Sequence, residues 1–140
     1  MTATTLTRRE EMLQIYSDYH KEAYGFRPRG YDYSAFTLEE LEADFALFAE
    51  ICKENQIAED AAAREAVANF EANVQKLISM GAGDEATALR WIAEAGVSED
   101  GWDMDYHLWK LGISKYDEIS RPICVKLEPH WNNVCKVKYQ

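Results

Sequence analysis

The chain has 140 residues, 47% of them apolar and 29% charged, with a formal net charge of −10. That is enough chain and apolar surface for a packed core, and too much apolar content for a disordered chain. No apolar run approaches the ~20 residues a membrane helix needs, and Met1–Arg9 lacks the apolar stretch of a secretory signal. Three cysteines without regular spacing fit free thiols in a reducing compartment, so a cytoplasmic protein is expected. The acidity is concentrated: residues 31–110 carry eighteen acidic against five basic side chains. Such a centre repels phosphates, which argues against nucleic acid as a direct ligand and favours basic partner surfaces.

In chain order, Thr7-Arg-Arg-Glu10 is a capping-box pattern that starts a helix. Met12, Ile15, Tyr16, Tyr19 and Ala23 line one face, and Gly25 supplies a stop. Tyr24–Tyr33 follows as an aromatic loop, in which Arg27 and Arg29 either grip an anion or pair with the chain's own carboxylates.

Thr37–Met80 contains neither glycine nor proline and opens with a second capping box, Thr37-Leu-Glu-Glu40. Leu38, Leu41, Phe45, Phe48 and Cys52, then Ala63, Val67, Phe70, Val74 and Leu77, recur at helical spacing. An unbroken helix here would be roughly 65 Å long at 1.5 Å per residue. It either breaks near Lys53–Asp60 or projects toward a partner. With Leu47 and Ile51 added, the apolar arc covers about half the circumference, wider than one packing face needs. The rest of the chain or a second copy must cover it, so a homodimer is one solution. Glu39, Glu42, Glu50 and Glu54 occupy the opposite, polar side.

Met80-Gly-Ala-Gly-Asp84 marks a corner, with Asp84 capping a helix over Glu85–Ala95 that Gly96 closes. A short helix over Gly101–Leu111 aligns Trp102, Tyr106 and Trp109 on one face, and Trp91 and Trp109 are assigned to the core. Beyond Gly112 the period changes to two. Ile123, Val125 and Leu127, then Cys135, Val137 and Tyr139, alternate with polar residues around Pro129–Asn133, the pattern of a β-hairpin that places Cys124 and Cys135 on opposite faces. The expected fold is therefore mostly α with a small C-terminal β-hairpin (α+β), a helical bundle around a long central helix or helix pair. Residues 1–112 form the helical part, and residues 113–140 an extension packed on it within one domain.

Chemistry is sparse. His20, His107 and His130 are widely separated and form no metal-ligand pair. Asp100, Asp103 and Asp105 lack the spacing of a calcium loop and suit capping and turns instead. No catalytic or phosphate-binding motif is present in the sequence, so no cofactor, metal or catalytic residue is assigned and a non-enzymatic protein is expected.

Tyr24-Gly-Phe-Arg-Pro-Arg29, Thr37-Leu-Glu-Glu-Leu-Glu42 and above all Gly81-Ala-Gly-Asp-Glu-Ala-Thr-Ala-Leu-Arg-Trp91 resemble segments of a group of short proteins of uncharacterised function from bacteriophages, prophages and plasmids. A segment similar to Asp103–Gly112 occurs near the chain's end in that group, and the resemblance covers residues 7–113. The group has no catalytic motif to carry over. The resemblance implies a mobile-element origin, and accessory proteins of that origin often antagonise host defences. The resulting expectation is an anti-CRISPR or anti-restriction protein that presents an acidic, nucleic-acid-like surface to a host protein with a basic nucleic-acid-binding surface. Glu39, Glu42, Glu50, Glu54, Asp100 and Asp103 are its candidate contacts. The alternative is a phage structural or regulatory accessory protein that acts by oligomerisation.

Overall fold

The computed structural model describes residues 5–139, and among them every regular element is helical. The helices are α1 (Arg8–Tyr24), α2 (Leu38–Leu77), α3 (Glu85–Asp100), α4 (Met104–Lys110) and α5 (Arg121–Lys138), with a short 3-10 turn at Tyr33–Ala35. None is long and apolar enough to cross a membrane. The chain divides into two compact units, one ending at Ala58 and the other starting at Glu59. The division falls inside α2, which runs unbroken for 40 residues.

In the first unit, the Thr7 hydroxyl caps α1 by accepting from Glu10 N at 3.2 Å. Thr37 does the same for Glu40 N, so the threonine half of each capping box forms; in the second box the Glu40 carboxylate accepts from the Thr37 hydroxyl rather than from its backbone N–H. Met12, Tyr16, Ala23, Leu41 and Phe48 form the core. Tyr16 is its hub. Its ring stacks on Tyr33 at 4.5 Å and its hydroxyl donates to Asp44 Oδ2 at 2.7 Å, so burial first, then hydrogen bonds to Tyr31 and Asp44, raise its pKa. His20 takes the inward position expected of Ile15, its Nδ1 2.7 Å from the Phe26 carbonyl, and Ile15 is exposed. Arg9 donates to the Ser34 and Phe36 carbonyls and ties the aromatic loop down, while Arg27 pairs with Asp18 at 2.6 Å.

The second unit begins with the latter part of α2. The glycine corner follows the sequence reading: α2 passes into a wide π turn over Ile78–Ala82, and Gly81 (φ 130°) and Gly83 (φ 82°) adopt backbone angles that a side chain disfavours. Asp84 then caps α3 by accepting from Thr87 N at 2.7 Å.

The β-hairpin does not form. Residues 121–138 are helix α5, with Pro122 in its first turn. The buried residues Ile123, Cys124, Leu127, Trp131 and Cys135 recur at one-, three- and four-residue steps, a helical stripe that the alternating pattern concealed. The helix sacrifices Val125 and Val137, which a hairpin would have buried and which are 62% and 81% exposed. In return it buries Trp131, worth roughly 4–6 kcal/mol from the area of a tryptophan side chain, where a hairpin would leave that ring in a loop. Pro129 costs α5 one hydrogen bond, but Pro129 and Val125, whose carbonyl loses the partner, are both exposed, so water can replace it. The same correction brings Cys124 and Cys135 onto one buried face.

Gly96 does not close α3, which continues to Asp100. A Cβ on Gly96 would lie 2.8 Å from Trp131 Cη2 and closer still to Cζ3, so the residue is glycine because the α5 indole presses against its backbone. In α4 the inward residue is Leu108, fully buried, and the expected aromatic face points out: Trp102 and Trp109 are 68% and 67% exposed, which corrects the core assignment of Trp109. Gly96→Ala is expected to lower unfolding stability by about 1–3 kcal/mol, the overpacking at Trp131 exceeding alanine's helix preference. A urea midpoint equal to or above that of the parent would show that Trp131 is not seated there.

Candidate functional site

The six sequence-derived candidates are divided between the two units. Glu39, Glu42, Glu50 and Glu54 all lie exposed on the part of α2 that belongs to the first unit. At 100° per residue they fall within an arc of about 120°. Arg8 reaches Glu42 at 3.3 Å, whereas Glu39, Glu50 and Glu54 have no ion pair among the described residues. α2 as a whole carries ten acidic and three basic side chains.

Asp100 and Asp103 belong to the second unit and are engaged locally. Asp103 caps α4, accepting from Tyr106 N at 2.9 Å. Asp100 is the centre of a charged network that the sequence did not reveal. Its Oδ2 lies 2.6 Å from His107 Nδ1 and 2.9 Å from Lys110 Nζ, and Lys110 also reaches Glu99 Oε1 at 3.1 Å. The Asp100 side chain is only 9% exposed and that of His107 13%. α3 delivers the carboxylates at its last turn, and α4 delivers His107 and Lys110 three residues apart on one face.

The donor atoms of Glu99, Asp100 and His107 lie within 4.8 Å of one another, a group that could converge on a metal ion. The geometry as it stands is that of an ion-pair network. A separation of 2.6 Å is a hydrogen bond between two prospective ligands rather than the spacing of two ligands around one ion, and the Lys110 ammonium already pairs with both carboxylates. Hydrogen bonding from Lys110 holds the Asp100 carboxyl below its usual range against the opposing effect of partial burial, with His107 adding to it. Hydrogen bonds to Asp100 and Glu99 raise the Lys110 pKa reciprocally.

With Asp100 accepting from Nδ1–H, the neutral imidazole is held as the tautomer whose Nε2 is an acceptor. Nε2 has no hydrogen-bond partner among the described residues and is not sealed from solvent. His107 lines a cleft of about 520 Å³ within the second unit. Phe70, Leu77, Trp91, Ile92 and Leu111 provide its apolar walls, and Asn69 and Asn73 of α2 are its other polar residues. Behind His107 lies the Trp131 ring at 5.3 Å, its Nε1 buried without a partner among the described residues.

The stability contributed by Asp100 is fully present above the unfolded carboxyl pKa near ~3.9 and is lost as pH falls through its lower native value. That from Lys110 is fully present below ~10.4 and is lost as pH rises past its raised native value. Asp100→Asn is therefore expected to destabilise the protein at neutral pH, with the difference from the parent shrinking on acidification below about pH 4. Parallel urea-midpoint curves between neutral and acidic pH would contradict this assignment. Comparisons with protein-family models, with curated proteins and with solved structures give no match to this chain.

Proposed function

We propose that this chain is a non-enzymatic mobile-element protein that binds and inhibits a host defence protein of anti-CRISPR or anti-restriction type, through an acidic helix face that competes with nucleic acid for a basic groove. The observation that carries the reading is the set Glu39, Glu42, Glu50 and Glu54: four exposed carboxylates on one arc of an uninterrupted helix, three of them uncompensated among the described residues. A helix fixes the spacing of these charges, so their field reaches a partner without the entropy cost of ordering a loop. The mobile-element origin comes from the sequence resemblance of residues 7–113. Asp100 and Asp103 serve the local network and the α4 cap, which leaves the α2 carboxylates as the principal contacts.

The test is phage plating on bacteria that carry a CRISPR–Cas or restriction system. Expression of the chain should raise plating efficiency, and the combined Glu39→Lys, Glu42→Lys, Glu50→Lys and Glu54→Lys variant should return it to baseline with helicity unchanged by circular dichroism. Association with the purified target should weaken about tenfold or more between roughly 50 and 500 mM salt. Persistent inhibition by the reversed variant would exclude the acidic-face mechanism, and failure of the parent chain to protect against any such system would remove the inhibitory reading.

A structural or regulatory phage accessory role through self-association is the second reading, favoured by Leu47 and Ile57, which stand exposed on α2. It expects a concentration-dependent dimer in sedimentation velocity that Leu47→Glu dissociates. A monomer at all concentrations would end it.

A further inference from the structure

We propose that the His107 cleft is a small-molecule site for a neutral aromatic compound of one or two fused rings bearing an N–H or O–H donor, which His107 Nε2 accepts. The proposal is independent of the inhibitory reading, because the cleft and the α2 carboxylates belong to different units. Its volume of about 520 Å³ is that of a small-ligand pocket, and its walls are predominantly apolar, with the half-buried Trp91 among them.

Specificity resides in one fixed atom. The imidazole is clamped from one side by the Asp100 hydrogen bond at 2.6 Å, and the Trp131 ring packs against it at 5.3 Å. Its free nitrogen is thus aimed before any ligand arrives, and a pre-oriented acceptor loses little entropy on binding. Gly96 completes the arrangement: Nε2 lies 3.1 Å from where a Cβ would stand, so any larger residue there would crowd the acceptor. Asn69 and Asn73 are exposed, sit one helical turn apart on α2, and have no hydrogen-bond partner among the described residues. Their amides can accept or donate at the rim, which widens the tolerated ring substituents. A ligand carboxylate is disfavoured by Glu99 and Asp100 beside the imidazole, and a cation is redundant with Lys110, which leaves a neutral donor as the complement.

The test uses indole and 1-methylindole as probes with the full chain at pH 8, read by amide and imidazole nitrogen NMR shifts. Indole should perturb Phe70, Trp91 and Leu111 amides and shift His107 Nε2, and 1-methylindole, which keeps the ring and loses the donor, should bind about tenfold more weakly. Ala95→Phe, at an exposed cleft residue, should abolish both effects while leaving the urea midpoint unchanged. His107→Phe, which keeps a ring and removes the acceptor, should bind the two probes equally. The proposal is overturned by equal affinity of indole and 1-methylindole for the parent chain, by shifts that survive Ala95→Phe, or by no shift at millimolar probe. In the last case, perturbation of the same amides by a tryptophan-containing peptide would assign the cleft to a partner protein's side chain instead.

Discussion

The contact on which the second unit depends is that between the indole of Trp131 and the bare backbone of Gly96. It brings α5 against α3 at a distance that no other residue at position 96 allows, and the adjoining stripe of Ile123, Cys124, Leu127 and Cys135 closes over the same core as Ala93 and Val97. The same indole flanks His107, so a packing decision between two helices also sets the orientation of an imidazole on a third. The helix interior would ordinarily select against glycine by up to about 1 kcal/mol relative to alanine. Here that intrinsic cost is offset by a tryptophan buried to 1% exposure.

Asp100 ties the same region together electrostatically. One carboxylate receives both an imidazole N–H and an ammonium, and Glu99 shares the ammonium. Without Lys110 the two adjacent acids at the end of α3 would repel each other and oppose the negative end of that helix. With it, the last turn of α3 and the single face of α4 are held by opposite charges. The acidity of the chain is thus of two kinds: carboxylates consumed in local structure, as at Asp84, Asp100 and Asp103, and carboxylates left facing solvent on α2.

What could be read from the residues was what depends on neighbours in sequence. Thr7, Thr37 and Asp84 announce their helices because a cap is settled within four residues, and the glycines of the 81–83 corner announce a turn for the same reason. The C-terminal helix was not legible because Ile123, Val125, Leu127, Cys135, Val137 and Tyr139 satisfy a period of two as well as Ile123, Leu127, Trp131 and Cys135 satisfy a period of four, and Pro129 weighed on the side of a loop. Only burial of Trp131 separates these alternatives, and that is tertiary. The four glutamates of α2 were placed on one face by helix geometry alone. The His107 network escaped notice because its acid and base are separated by a turn, Gly101 to Asp103, whose conformation the string of residues does not specify.

The placement of sulfur on α5 has a consequence for reactivity. Cys124 and Cys135 both lie on the buried stripe, and burial pushes the Cys124 thiol pKa upward; the same cause acts on Cys52 in the first unit. Burial keeps reagents from both α5 sulfurs, and at Cys124 it also disfavours the thiolate that attacks alkylating reagents and disulfides. Both sulfurs become reactive in whatever fraction of molecules has α5 lifted from α3. The rate at which these two thiols are consumed is therefore a clock for the opening of that helix, built into the chain without any added label.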